Sequence, residues 1–452
     1  MADYLNALAE IISSNVKILG DAYAQDGRKF PSLDEPFAPT KSAEAAAVQE
    51  ATRLIIAAAA QLTASVRSPL EVLLEQATGV YATVMLSFAN DHNVADLLKE
   101  AGPDGLDAKE IGKQIGFNGA YVARCLRYLA TRHIFREVKP NVFANNRLSS
   151  ALLKNKPFKD IEADSMTKYD DAPISALISH TTDEGFIGSR SIIEFMKDSK
   201  GYVSPLSMSN QDRANLFEWY EKPGHKWRAH RFATAMKAPA KLWGQGAYAS
   251  VLDWHSLPTG STIVDVGGST GEVTMELARA APQHKYVLQD LEGAIVEAKR
   301  RWANEWPEAI NDGTVTLEVH SFFEPMPVKA DVYFLRAIIH DWPEADCHKI
   351  LGHIHAAAKS TSKLILLELM AVHACPDELT GGRTIPYPLL ANLGLAVGGF
   401  ITAADMQMLA LVDGRERTPG DFEELGRMTG WKLETIKPGP GMAAFIFSKV
   451  EV

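Results

Sequence analysis

Apolar residues recur at helical spacing through Ala2 to Ala24 and Ala43 to Val66, and the Pro- and Gly-bearing stretch from Asp26 to Pro39 between them reads as a loop. The same spacing predicts a helix from Pro69 to Asn90. These helices are Ala-rich and apolar on more than one face, a pattern that points to burial against a partner subunit as well as against their own domain.

From Asn93 to Leu153 the pattern predicts three short helices (Asn93 to Ala101, Leu106 to Gly116, Ala120 to Arg132) and two strands around Phe135 to Val138 and Val142 to Ala144. Three helices and a two-stranded wing make a winged-helix arrangement. A mostly helical stretch, Lys168 to Lys237, carries a stripe of aromatic and Met residues, which at helical spacing is core first. Beyond Ser261 short apolar strands alternate with helices: Thr262 to Val266, Lys285 to Leu288, Thr314 to Val319, Ala330 to Leu335, Lys363 to Glu368, Trp431 to Ile436 and Ala443 to Lys449. That alternation predicts a mostly parallel, doubly wound sheet with ligands beyond the carboxyl ends of its strands. The expected class is therefore α/β, divided as a helical arm (1–85), a winged-helix-like domain (86–165), a helical bridge (166–243) and a Rossmann-like domain (244–452).

Composition narrows the function. The 452 residues are 46% hydrophobic and 23% charged, which excludes a disordered or fibrous chain. With 46 Lys+Arg against 56 Asp+Glu the net charge is -10, and the third winged helix offers few basic residues, so no nucleic-acid partner is expected. The densest basic run, Lys226, Arg228 and Arg231 beside His225 and His230, reads as a solvated helix face. Three cysteines in no metal-like spacing predict neither a disulfide framework nor a metal site, and fit a reducing, cytoplasmic setting. The N-terminus lacks a signal-peptide pattern, and the apolar runs Leu54 to Ala60 and Leu393 to Ala404 fall short of the ~20 residues that span a bilayer, so a soluble protein is expected.

Three segments carry chemistry. Ile263-Val-Asp265-Val-Gly267-Gly268-Ser-Thr-Gly271 is a buried-strand run breaking into glycines before a helix, and Asp290 ends the next strand. A glycine turn admits a ligand close to the backbone, and an acid at the second strand end can accept ribose hydroxyls, so the pair predicts nucleoside binding. Asp265 stands where a dinucleotide fingerprint has its first glycine, and a carboxylate there suits a cationic ligand better than a pyrophosphate. In Leu335-Arg-Ala-Ile-Ile-His340-Asp341-Trp342-Pro343 a histidine arrives at the carboxyl edge of the sheet, as a base or as a capping turn. Glu368, ending a strand, and Glu416, in Gly414-Arg-Glu-Arg-Thr, are acids able to fix its tautomer.

The ordered set D-V-G-G-S-T-G, Leu288-Gln-Asp290-Leu291, H-D-W-P with Cys347 five residues beyond Trp342, and G-R-E-R-T resembles the plant caffeate/flavonoid-type O-methyltransferases and their fungal relatives, from about Leu86 to the C-terminus. The resemblance implies a winged-helix dimerisation domain before a class I methyltransferase domain, a homodimer, S-adenosylmethionine as cofactor and a small-molecule acceptor. It further implies that Asp265, Gly267, Gly268, Gly271, Asp290 and Leu291 hold the cofactor, that His340 is the base, and that Glu368 and Glu416 flank it. Acceptor contacts are expected from His180, Trp227, Phe232, Met236, Asp341 and Asp413, although His180 reads first as a helix cap. Two positions depart from the family pattern: Ser321 replaces the acid that meets adenine, leaving Phe322 as the apolar contact, and Arg336 stands where many members have Lys. The apolar segment Ala374 to Ala404 is longer than usual and is expected to shape the acceptor pocket or thicken the dimer interface. Two other readings compete with methyl transfer: a pericyclase or dehydratase on the same fold that keeps the cofactor without spending its methyl, and a winged-helix regulator that senses a nucleoside.

Overall fold

The computed structural model describes residues 2–38, 40, 43, 45–164, 166–238, 246–377, 385–439 and 441–450. The expected boundary at 243/244 and part of the segment 374–404 lie outside them. The chain forms two compact units, Met1–Ala240 with Thr384–Phe400, and Lys241–Arg383 with Ile401–Val452.

The first unit begins with α1 (Ala2–Gln25) packed on α2 (Ala46–Val66). The single helix expected from Pro69 to Asn90 is two, α3 (Pro69–Ala77) and α4 (Val80–Asp91), bent by 47°. The break follows from Thr78, whose Oγ1 donates back to Leu74 O (2.8 Å), and from Gly79, which offers no side chain to continue the packing. α3 buries none of its residues: Leu70, Leu73 and Leu74 are all more than half exposed. In the winged-helix part, α5 (Val94–Ala101), α6 (Ala108–Ile115) and α7 (Gly119–Ala130) enclose Leu97, Ile111 and Leu126. The wing has three strands rather than two, in the order β1 (Leu106–Asp107), β3 (Val142–Ala144), β2 (Arg136–Lys139). Asp107 explains the extra strand. It caps α6 by accepting from Lys109 N (2.8 Å), which delays the helix and leaves Leu106 extended opposite Phe143. The bridge continues through α8 (Pro173–His180), a π-helical turn Thr181–Gly185, and α9 (Lys226–Ala235). The segment up to Phe400 returns to this unit, where Gln61 Nε2 donates to Pro388 O (2.7 Å).

The second unit is a seven-stranded sheet in the order β6 (Val315–Val319), β5 (Lys285–Asp290), β4 (Thr262–Val266), β7 (Val332–Arg336), β8 (Lys363–Glu368), β10 (Ala443–Lys449), β9 (Trp431–Pro438). The first five are parallel, and β10 pairs antiparallel with both β8 and the edge strand β9. Strand alternation sorts the cores: in β7, Val332 and Phe334 join the cluster around Trp302, whereas Tyr333 and Leu335 join that around Ile350 and Phe445. The helices include α10 (Glu272–Ala280), α11 (Glu292–Glu305), α12 (Glu344–Ala357), α13 (Gly398–Val412) and α14 (Pro419–Met428). The chain leaves β4 toward β5 on one side and returns to β7 on the other, so the carboxyl ends of β4 and β7 bound the crevice where such sheets bind ligands. No single described helix is long and apolar enough to cross a membrane. Among the described residues no group of His, Cys, Asp or Glu could hold a metal ion.

Candidate active site

At the end of β4 the backbone turns through Gly267 (φ 70°), Gly268, Ser269 (φ 52°) and Gly271 (φ 85°) into α10. A Cβ on Gly268 would lie 2.5 Å from Asp265 Cγ, so only glycine lets this turn close on its own strand. Gly267 abuts Ile338 and Phe322, which brings the end of β7 and the expected adenine contact to the same turn. Phe322 is wedged edge-on against Trp342 (5.7 Å between centroids), and the neighbouring Ser321 Oγ accepts from Phe323 N (3.3 Å).

Asp290 closes the turn from β5. Its Oδ2 accepts from Ser269 N (2.8 Å) and its Oδ1 from Leu291 N (2.7 Å), while burial raises its pKa. Carboxylate oxygens carry further lone pairs, so ribose hydroxyls can add to this arrangement. Leu291 is exposed beside it. Arg336, at the end of β7, lies 3.6 Å from Glu272 and 5.3 Å over the Tyr248 ring. Asp265 corrects the expectation of a carboxylate presented openly to a cation: it is buried, and its Oδ2 accepts from both Thr274 N (3.2 Å) and Thr274 Oγ1 (2.6 Å). Its first task is to fasten the first turn of α10, and burial pushes its pKa up to about 6. The glycine cradle and the strand-end acid together fit a nucleoside-bearing cofactor.

His340 sits in a single 3-10 turn, Ile339–Asp341, just beyond β7. Its Nδ1 lies 2.9 Å from Glu416 Oε1, and its Nε2 3.6 Å from Asp341 Oδ1. Glu416 is buried, not at the surface, and its backbone N donates to Asp405 Oδ1 (2.9 Å) on α13. Of the two acids expected to orient the ring, Glu416 alone bonds it. Glu368 Oε2 stands 4.0 Å from Nδ1, and Glu368 Oε1 instead accepts from Ile338 N (3.1 Å) and Ile339 N (2.8 Å). The β7–β8 ladder ends one residue earlier, at Ala337 N to Leu367 O, and the Glu368 side chain takes up the next two donors. Burial acts against the imidazolium, but Asp341, Glu416 and Glu368 outweigh it and push the pKa of His340 up to about 10. Glu368, fully buried with its Oε2 lacking a hydrogen-bond partner, is itself pushed up to about 7, against the pull of His340. Asp413, half-buried with φ 55°, leads into the Glu416 loop, and burial raises its pKa.

The acceptor contacts expected from the bridge all lie in the first unit. His180 makes no side-chain cap hydrogen bond; it is buried, 3.3 Å from Glu184 Oε2 and edge-on to Phe232 (5.2 Å). The cap reading fails because α8 ends at His180 without a break, the helical backbone continuing directly into the π turn. Trp227 and Met236 are more than a third exposed. The solvated basic face holds for the exposed Lys226 and His230 but is corrected at the arginines: Arg231 is 2% exposed and holds Ser179 Oγ (2.8 Å), Asp183 (3.1 Å) and Glu184, while Arg228 pairs with Asp183 (3.0 Å). The π turn sets Asp183 and Glu184 side by side against α9, and a buried guanidinium requires such partners.

The O-methyltransferase domain family matches residues 227–432, and the O-methyltransferase dimerisation domain family matches residues 74–155. An O-methyltransferase of Armillaria gallica is 35% identical over 454 residues, covering 96% of this chain and 96% of that protein. This chain belongs to the O-methyltransferase family. A 3-O-methyltransferase of Phanerochaete chrysosporium is 32% identical over 458 residues, covering 99% of this chain and 98% of its own. In fold the chain is similar to an O-methyltransferase from neocarzinostatin biosynthesis solved with S-adenosylmethionine and 2-hydroxy-5-methyl naphthoic acid: TM-score 0.62, 21% identity, 83% of this chain and 98% of that one. The resemblance carried by the sequence motifs and the expected α/β class with an N-terminal dimerisation domain are thereby borne out. The enzyme's motif residues Arg417 and Cys347 drew no role from the sequence. Their contacts, described below, join segments some 70 residues apart, a distance at which no spacing rule speaks.

Proposed function

We propose that this O-methyltransferase moves a methyl group from S-adenosylmethionine to a hydroxyl of a small aromatic or polyketide-type secondary metabolite, with His340 as general base. The observation that carries the reading is the 2.9 Å bond from His340 Nδ1 to Glu416, which leaves Nε2 to take the proton of the acceptor hydroxyl. S-adenosylmethionine, when bound, supplies a methyl group activated by its sulfonium charge. Gly267, Gly268, Gly271, Asp290, Leu291, Ser321, Phe322 and Arg336 would hold it, with Asp265 supporting the turn. A phenol has a pKa of about 10, and the raised basicity of His340 matches it, so the proton is shared at little cost once the imidazole is neutral. The names of the relatives support methyl transfer over a rearrangement on the same fold.

The dimerisation-domain match and the exposed leucines of α3 support a homodimer. The free thiols of Cys125, Cys347 and Cys375 suit the cytoplasm. We propose a four-part division of the chain, with Asp341 and Asp413 as acceptor contacts beside His340. The test is mass spectrometry of products formed with isotope-labelled S-adenosylmethionine across a panel of fungal phenols. A product that requires the protein but carries no label overturns methyl transfer. H340Q is expected to lose at least about 100-fold in kcat while the Kd for S-adenosylhomocysteine stays near wild type.

A further inference from the structure

The loop that carries Glu416 does more than supply that carboxylate. Gly414 packs so closely on His340 O that a Cβ there would overlap it, and Arg415 N donates to the same oxygen (3.0 Å). Arg417 pairs in a parallel bridge with Met370, so its side chain leaves the loop on the face opposite to that of Glu416. The Arg417 side chain is 1% exposed. Its Nη1 donates to Ile339 O (2.8 Å), and its Nη2 reaches Glu344 Oε2 (3.0 Å) at the start of α12 and Cys347 Sγ (3.3 Å). Cys347 Sγ in turn donates to Ile339 O (3.4 Å) and Trp342 O (3.2 Å). The turn is thus gripped at both ends, with the N–H groups of Ile338 and Ile339 on Glu368 and the carbonyls of Ile339 and His340 on the 414–417 loop.

We propose that Arg417, seconded by Cys347, is a positioning residue for the reaction: it clamps the carbonyl side of the 339–341 turn to α12 and so fixes the direction in which the His340 ring meets Glu416 and the acceptor. A one-turn 3-10 segment has few hydrogen bonds of its own and needs such external ties. A planar guanidinium spreads its donors over separate nitrogens in a fixed fork and so spans a carbonyl, a carboxylate and a sulfur set apart from one another, whereas an ammonium offers its donors from a single nitrogen. The inference rests on His340 acting as base, so its test reads the ring directly as well as turnover.

In R417K, kcat is expected to fall about 10- to 100-fold, with the Kd for S-adenosylhomocysteine by calorimetry within about twofold of wild type. In ligand-free protein labelled at histidine with nitrogen-15, the Nδ1–H proton of His340, bonded to Glu416, should broaden or move upfield. That signal does not depend on which reaction the enzyme performs, so its change stands even where methyl transfer fails. E344Q leaves the Ile339 bond in place and is expected to lose less than about fivefold in kcat, with a smaller shift of the same proton; if R417K does not fold, E344Q decides. The proposal is overturned by an unchanged His340 signal and wild-type kcat. It is equally overturned if kcat falls only together with cofactor affinity and Tm, which would make Arg417 a residue of the fold alone.

Discussion

Replacing Glu416 by Gln tests the electrostatics of the site most directly. In the wild type three carboxylates face His340, at 2.9, 3.6 and 4.0 Å. At an effective dielectric of ~20 a unit charge at 2.9 Å is worth about 6 kcal/mol, an upper bound; pairs of this kind shift pKa values by about 1 to 3 units in proteins. E416Q should therefore bring His340 down from about 10 to roughly 7–9, since Asp341 and Glu368 remain. The sign follows from the role. A base acts when neutral, so kcat/KM rises with pH until the imidazolium has lost its proton, and lowering that pKa moves the rising limb to lower pH. The weaker base also transfers the proton less readily, so the alkaline plateau should drop by about 10- to 100-fold while the difference narrows toward acid pH. The assay pairs a pH series of kcat/KM, measured by labelled methyl transfer, with histidine NMR titration of the ligand-free protein. A His340 titration that is the same in wild type and E416Q, or one that lies near the ordinary histidine value in both, would refute the argument.

Three further outcomes are expected. D290N keeps one acceptor oxygen but sets an amide N–H2 against Ser269 N or Leu291 N, and should weaken S-adenosylhomocysteine binding by roughly 10- to 100-fold in calorimetry, the loss typical of a charge-assisted hydrogen bond. The double substitution L73D/L74D on the exposed face of α3 should shift sedimentation toward monomer while leaving the circular dichroism of the folded chain unchanged, because unpaired carboxylates resist burial between subunits. G268A forces a Cβ onto Asp265 and Leu288 and should cost about 1–3 kcal/mol by denaturant titration, along with most cofactor affinity; wild-type affinity would show that the turn has slack.

By itself the sequence determined the kinds of element and their order. β4, β8 and β10 fall where the apolar runs place them, because buried strands write their apolar runs into the chain. It also marked His340, Asp290 and the glycine turn, since chemistry appears abruptly where an apolar strand ends, and Glu416 through the polar run Gly414-Arg-Glu-Arg-Thr. Where a single side chain decided a local boundary the periodicity was silent, as with Asp107 capping α6 and Thr78 ending α3. Tertiary structure decided which partner each polar group took. Asp265 turned to Thr274, Glu368 to two backbone N–H groups, Arg231 to the carboxylates of the π turn, and Arg417 to a carbonyl 78 residues away. A buried donor or acceptor must be satisfied by whatever the fold brings within about 3 Å, and that neighbour is set by strand order and loop closure, which the period of a sequence does not encode.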